Sequence, residues 1–191
     1  MKLLEKQRIR NQIRVDEMQF GFMPGKGTTD AIFLVRQLQE KYHGKGKKLY
    51  YAFVDLGRAF DRVPREVVKW ALRKSGVDEW IVRAVMAMYA NARTVVRTAC
   101  GGSESFDVKV GLHQGSVLSP LLFVMVTDVI TKEVQEGLPW ELLYADDLVL
   151  VAESEEKLKE CRNGRLVWKQ RLMSKCGKNQ SNGRRGGTQK S

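Results

Sequence analysis

The sequence predicts an α+β fold built on a mostly antiparallel sheet. Three observations carry this. Apolar runs of strand length alternate with helical patterns, two pairs of those runs are joined closely enough to be hairpins, and one long apolar stretch reads as a buried helix. At 191 residues, with 43% apolar and 29% charged side chains, the chain suits one compact domain with a sizeable core.

Residues 2–14 read as a basic helical start whose apolar stripe (Leu3, Leu4, Ile9) is thin. Asp16 to Gly27 holds three glycines and Pro24, so it is a loop, with a partly buried Phe20/Phe22 pair. Thr28, Thr29 and Asp30 are N-cap candidates for an amphipathic helix over Ala31–Tyr42, with Ile32, Val35 and Leu38 inward; Gly44 and Gly46 end it. Leu49–Leu56 is a dense apolar and aromatic strand interrupted by one acid. Pro64 suits the first turn of a helix to Lys74, Gly76 stops it, and Asp78 caps another that reaches Ala90. Arg93–Ala99 and Phe106–Val110 read as paired strands joined at Gly101-Gly102. The polar turn Gly111–Ser116 leads into the long apolar helix, Val117–Gln135. Trp140–Tyr144 and Leu148–Ala152 flank Ala145-Asp146-Asp147 as a hairpin. A last helix spans Glu155–Met173, and beyond Ser174 the composition predicts a disordered tail.

Composition excludes several classes. Three isolated cysteines (Cys100, Cys161, Cys176) build neither a disulfide scaffold nor a zinc ribbon and point to a reducing, intracellular setting, nucleus and cytoplasm alike. His43 and His113 are too far apart for an HExxH-type zinc site. The longest apolar run, Val117 to Ile130, is broken by Pro120 and Asp128, so no membrane span is expected, and no signal peptide is visible. The net charge of +11 is uneven: residues 161–191 hold nine Lys/Arg and no acid, residues 1–48 hold eleven bases against five acids, and residues 49–160 hold thirteen against seventeen. An acidic centre thus lies between two basic ends, and basic ends bind polyanions.

Strand interiors avoid aspartate, because a charge taken from water without a partner is costly. Yet Asp55 ends one apolar strand and Asp146-Asp147 sit at an apolar hairpin tip. Alone, the dipeptide reads as a satisfied turn and Asp55 as a helix cap. Together, three carboxylates on two strand ends, with no obvious Lys or Arg counter-charge, call for divalent cations. An all-oxygen donor set selects Mg2+ or Mn2+ over zinc, and two such ions roughly 4 Å apart suit phosphoryl transfer. Gly25-Lys26-Gly27-Thr28 is not a P-loop, which needs Ser or Thr directly after the Lys.

Ala52-Phe53-Val54-Asp55-Leu56-Gly57-Arg58-Ala59-Phe60-Asp61, then Gly111-Leu112-His113-Gln114-Gly115-Ser116-Val117-Leu118-Ser119-Pro120, then Tyr144-Ala145-Asp146-Asp147 resemble, in order and spacing, three successive motifs of reverse transcriptase palms. Gln19 through Phe33 is similar to the non-LTR (LINE-type) retrotransposon enzymes. The resemblance implies a polymerase palm, an antiparallel sheet packed on helices with an RRM/ferredoxin-like core, and partial fingers. Residues 1–48 would be partial fingers and the fingers–palm junction, 49–173 the palm, and 174–191 the basic tail. It implies RNA-directed DNA polymerase activity with two Mg2+ (or Mn2+) ions on Asp55, Asp146 and Asp147. Its partners would be an RNA template, a DNA primer and dNTP, with no membrane; oligomeric state stays open.

The resemblance also assigns roles around the nucleotide. Phe60, five residues after Asp55, would face the sugar C2′ edge and exclude a 2′-hydroxyl, although it equally suits the core. Gln114-Gly115 would approach the nucleotide, or Gly111–Ser116 is simply a helix start. Tyr144 would pack near the primer end or in the core, and Gly25, Lys26, Gly27 and Thr28 near the template. His113 is expected as a surface turn residue, Asp61 as a partner of Arg62 or a helix cap, and Gly57-Arg58 departs from the acidic–basic pair expected there. The remaining fingers motifs and the thumb are not recognisable, so the resemblance implies an incomplete remnant of the domain. Two rivals stand beside it: a catalytically inactive nucleic-acid-binding remnant, and another two-metal enzyme such as a nucleotide cyclase, against which Gln19 through Phe33 argues. For the tail, deletion of 174–191 should leave the melting temperature nearly unchanged and weaken salt-sensitive RNA binding; a large drop in melting temperature would show that the tail is folded.

Overall fold

A computed structural model describes residues 2–134, 140–160 and 163. In chain order the elements are α1 (Lys2–Gln12), α2 (Thr28–His43), β1 (Tyr50–Asp55), α3 (Ala59–Arg62), α4 (Arg65–Lys74), α5 (Glu79–Tyr89), β2 (Arg93–Thr94), β3 (Arg97–Thr98), β4 (Gly101–Gly102), β5 (Phe106–Asp107), α6 (Ser119–Val134), β6 (Trp140–Tyr144) and β7 (Asp147–Ala152). Residues 155–160 and Asn163 are also helical. The rest of the expected last helix, Gln135 and the tail lie outside the described residues.

The main sheet has the order β1-β7-β6, antiparallel throughout, as the α+β expectation requires. Apolar residues on β7 hold its register. Leu148, Leu150 and Ala152 are buried on one face, where Leu148 and Leu150 cluster with Ala52 and Val54 of β1. The opposite face is covered in part by α2, whose Ala31, Leu34 and Val35 pack with Phe20, Leu142 and Val149. That helical stripe corrects the expected one: Ile32 points outward, 56% exposed, because the i, i+3, i+4 face runs through Ala31, Leu34 and Val35. Helix α2 starts three residues early. Gly27 holds the N-cap position, and Asp30 Oδ2 accepts from its backbone N–H at 2.7 Å.

The main core is helical. Helix α6 is apolar on nearly every side, with Leu121 through Val126 all buried, and packs with Val68, Ala71 and Leu72 of α4 and Ile81, Val82 and Val85 of α5. Two polar residues inside it are satisfied. Thr127 donates to the Phe123 and Val124 carbonyls, and Asp128 accepts from the Asp16 backbone N–H at 2.8 Å and pairs with Lys132 at 2.7 Å. The expected single hairpin between α5 and α6 is instead two short ladders, β2 with β5 and β3 with β4, on exposed strands that lack a buried face to hold a longer register.

Residues 18–21 extend the sheet. Gln19 forms a parallel bridge with Leu143, the Phe20 N–H donates to the Leu143 carbonyl at 2.7 Å, and the Leu143 N–H donates to Met18 at 3.0 Å. Gly21 follows, and only glycine fits there: a Cβ would lie 2.1 Å from the Ala145 nitrogen. Gly21→Ala should therefore lower stability by about 1–3 kcal/mol in urea unfolding of the full chain. Gly102→Ala, whose Cβ would meet nothing closer than 3.6 Å, should stay within about 0.5 kcal/mol. Equal midpoints for the two variants would mean that the Gly21–Ala145 approach is not held in solution.

Candidate active site

The β1–β7 register sets Asp55 directly opposite Asp147, with Asp147 in turn opposite Tyr144. Residues facing each other across a ladder share a sheet face, so Asp55, Asp147 and Tyr144 form one row. The hairpin tip is the two-residue turn Ala145-Asp146. Ala145 has φ +57°, the backbone sign that a type II′ turn needs at its first central position. The Leu56 N–H donates to the Asp146 carbonyl at 3.1 Å, which ties the turn to the end of β1. All three aspartates are thus carried at one end of the sheet.

Their side chains differ in environment. Asp55 Oδ1 accepts from the Gly57 N–H at 2.7 Å, an Asx-turn in place of the expected cap on the next helix; Arg58, at φ +53°, precedes α3 instead. Asp55 and Asp147 are exposed, and Asp146 is half-buried. Among the described residues, the carboxylates of Asp146 and Asp147 have neither a hydrogen bond nor an ion pair. No three His, Cys, Asp or Glu side chains among the described residues are gathered closely enough to grip a metal ion.

A cleft of about 500 Å³ opens beside the turn, and Asp146, Phe60, Gln114 and Gly115 line it together. Two segments make one wall. The Leu112 N–H donates to Phe60 at 2.8 Å and the Gly111 N–H to Val63 at 3.0 Å. Gly111 is at φ +88°, and a Cβ on it would lie 2.8 Å from the Asp61 carbonyl oxygen. Phe60 packs on the core, one face stacked on buried Phe123 at 4.3 Å, and its ring also borders the cleft. Gly115 turns at φ +75° and, like Gln114, is exposed.

The residues expected near the primer end and the template do not line the cleft. Tyr144 is half-buried against the cluster of Phe20 and Leu142, in the row that holds Asp147 and Asp55. Gly25, Lys26, Gly27 and Thr28 lie at the start of α2 and do not line the cleft. The Lys26 ammonium donates to the Glu17 and Gln19 carbonyls and sits 4.9 Å from the Phe20 ring centre. His113 stacks on Tyr89 at 4.4 Å.

Three cleft residues escaped sequence reasoning. Phe22, at φ +58°, meets Phe60 edge-on at 6.0 Å and is 46% exposed, not the partly buried partner of Phe20. Arg58, exposed at φ +53°, lines the same cleft as Asp146. Asp61 accepts from Gln114 Nε2 at 2.7 Å, rather than pairing with Arg62 or capping a helix. Their place beside glycine-rich loops near an acidic strand end was the only signal for any of them.

Comparison with known proteins agrees with this geometry. The family model described as reverse transcriptase (RNA-dependent DNA polymerase) matches residues 2–176. The chain is 30% identical over 152 residues to the retrovirus-related Pol polyprotein of the type-1 retrotransposable element R2 of Nasonia vitripennis, covering 75% of this chain and 15% of that protein. It is also 30% identical over 155 residues to the Pol polyprotein of element R2DM of Drosophila melanogaster, covering 77% and 15%. Among solved structures, apo telomerase from Candida tropicalis truncated from its C-terminal domain superposes with TM-score 0.63 at 15% identity, over 85% of this chain and 35% of that one. A telomerase from the same organism in complex with a telomeric RNA fragment gives 0.63 at 13% identity, over 84% and 29%. These likenesses show a palm-type α+β fold, and the matched span covers a small part of the curated relatives' length. The chain belongs to the reverse transcriptase family, as a domain of the non-LTR retrotransposon kind.

Proposed function

We propose that this domain transfers dNMP from dNTP to a primer 3′-hydroxyl on an RNA template. One observation carries the reading: Asp146, Phe60 and the Gln114-Gly115 loop converge on a single cleft at the sheet end where Asp55 faces Asp147. The donor set suits hard divalent cations, since it is all oxygen and includes two carboxylates with no partner among the described residues. Asp55, Asp146 and Asp147 would hold Mg2+ or Mn2+. When bound, such ions activate the attacking hydroxyl and stabilise charge on the leaving phosphate.

The chain's own residues supply position and selection. The Phe60 ring cannot retreat, because Phe123 backs it at 4.3 Å and Phe22 meets it edge-on. A ring so fixed leaves no room for a 2′-hydroxyl on a sugar seated against it. Gln114 and Gly115 line the same cleft with polar and backbone groups, and holding reactants in one geometry supplies much of an enzyme's acceleration. RNA is the matching template: a telomerase with this fold has been solved with an RNA fragment, and this chain has basic ends. The rival reading, a domain that holds nucleic acid without turnover, is favoured by the absence of a three-ligand cluster among the described residues.

Primer extension on poly(rA)/oligo(dT) with Mg2+ or Mn2+ separates the two. Extension that disappears in Asp146→Asn/Asp147→Asn supports the polymerase; extension that survives the pair belongs to another site, and none in the unsubstituted chain favours the binding remnant. Nucleotide choice tests the gate. Phe60→Val should admit ribonucleotides, with discrimination against rNTP falling by at least an order of magnitude, about 10-fold or more. Unchanged discrimination would place the gate elsewhere.

A further inference from the structure

Helices α1, α4 and α5 share a face that lies apart from the cleft, and no residue of these helices lines it. We propose that this face docks a single strand of RNA or DNA, with Trp80 as the platform on which a base stacks. Trp80 stands in the first turn of α5 and is 47% exposed, although Ile81 and Val82 beside it are fully buried. The Arg8 guanidinium of α1 lies 5.3 Å from the centre of its ring. On α4, the Lys74 ammonium lies 5.5 Å from the centre of the Trp70 ring, which packs half-buried against the core. Aromatic rings with cations beside them are what an extended strand needs, since bases stack on the rings while phosphates meet the charges.

Two pairs of hydrogen bonds make the face firm. Arg73 grips Glu79 as a fork, Nε to Oε2 at 2.9 Å and Nη2 to Oε1 at 2.6 Å, and so ties the end of α4 to the start of α5. Gln12 Nε2 donates to Asp78 Oδ2 at 2.7 Å and Gln12 Oε1 accepts from the Asp78 N–H at 3.1 Å, which ties α1 to the same point. The Glu79 carboxyl is held below its ordinary range first by the Arg73 hydrogen bond and then by the charges of Arg73, Arg83 and Lys69, so these cations share one surface. Arg8, Lys69, Arg73, Lys74 and Arg83 thus outnumber the carboxylates beside them, Glu66, Asp78 and Glu79. The surplus is complementary to a polyanion. A duplex hides the faces of its bases, and a lipid surface asks for more apolar area than Trp80 and Leu4 expose.

The test titrates the full chain in EDTA with labelled oligo(U) and oligo(dT) of about 12 nucleotides, read by anisotropy and by quenching of tryptophan emission. Trp80→Leu should weaken binding of both strands by at least about fivefold, the worth of one base stack, and remove most of the quenching. Trp80→Phe keeps a ring and should bind nearly as the unsubstituted chain does. Arg8→Gln/Arg83→Gln should flatten the dependence of log affinity on log salt by about 0.7 for each arginine. Lys45→Gln/Lys47→Gln removes the same charge from the loop after α2 and should leave that slope unchanged. Asp146→Asn/Asp147→Asn should bind both strands like the unsubstituted chain, which keeps the result independent of the polymerase reading. Unweakened binding by Trp80→Leu, equal flattening in the lysine pair, or loss of binding in the aspartate pair overturns the proposal. So does equally tight binding of a duplex of the same length, or capture on anionic vesicles that Trp80→Leu abolishes while strand binding survives. Should Trp80→Leu fail to fold, the salt slope of the arginine pair decides alone.

Discussion

The six-position ladder between β1 and β7 is the constraint on which the site depends. Side chains in a strand alternate faces, so a slip of one residue would send Asp55 to the face opposite Asp147 and bury a carboxylate among apolar neighbours. Two like charges facing each other across a ladder work against the pairing. The remaining rungs must outweigh that repulsion. Val54 faces Leu148, Phe53 faces Val149 and Ala52 faces Leu150, and the buried Leu148 and Leu150 supply the apolar contact that makes this register the stable one. The carboxylates are therefore held in opposition by residues that have no part in the chemistry. Such an arrangement has a destabilising element built into its tip, which a cation bound there would relieve.

A second constraint acts through residues 18–22. Backbone bonds from Met18 and Phe20 to Leu143 add this segment to the edge of β6, and Gly21 then lies against Ala145, one residue before Asp146. The next residue, Phe22, takes a left-handed backbone conformation that a large side chain adopts at a cost of about 1–3 kcal/mol, and its ring abuts Phe60. Ala145 is held in the same unfavourable half of backbone space. Two strained residues thus lie on either side of one close contact. The Arg10 guanidinium donates to the Phe22 carbonyl at 3.0 Å, which helps hold the segment down. Through a stretch of five residues, the N-terminal part of the chain touches both the carboxylate turn and the ring that borders the cleft.

Most of this fold is legible because its signals are local. The strand at Asp55, the 140–152 hairpin and the helices at 65–74 and 79–89 announce themselves by apolar periodicity, by Pro64 and by Gly76. The errors share a physical origin. Ile32 reads as inward because its own period permits either stripe, and only the sheet that α2 meets decides which is buried. The ladders between α5 and α6 read too long because no alternation of buried and exposed residues marks where exposed strands stop pairing. In the site, the three aspartates and Phe60 stand out by type and spacing. Arg58, Phe22 and the Asp61–Gln114 bond do not, because each depends on partners at least 38 positions away or on a left-handed backbone that non-glycine residues rarely show in sequence.

The acidic centre of an otherwise basic chain resolves into carboxylates with different partners. Asp128 is neutralised by Lys132 and the Asp16 N–H, Glu79 by Arg73, and Asp107 by Arg93, so these acids serve the fold. The hydrogen bond from Arg73 is also what holds the Glu79 carboxyl below its ordinary titration range. Asp61 is answered by the Gln114 amide, which leaves its charge uncancelled. Asp146 and Asp147 are answered by nothing among the described residues, although Arg58 lines the same cleft as Asp146. On the proposed function, phosphates entering this acidic cleft would need cations between them and the carboxylates, more than Arg58 alone would supply. The uneven charge of the sequence would then divide the work: the basic ends would attract the polyanion, and the unpaired oxygens of Asp146 and Asp147 would receive the cations that stand between polyanion and protein.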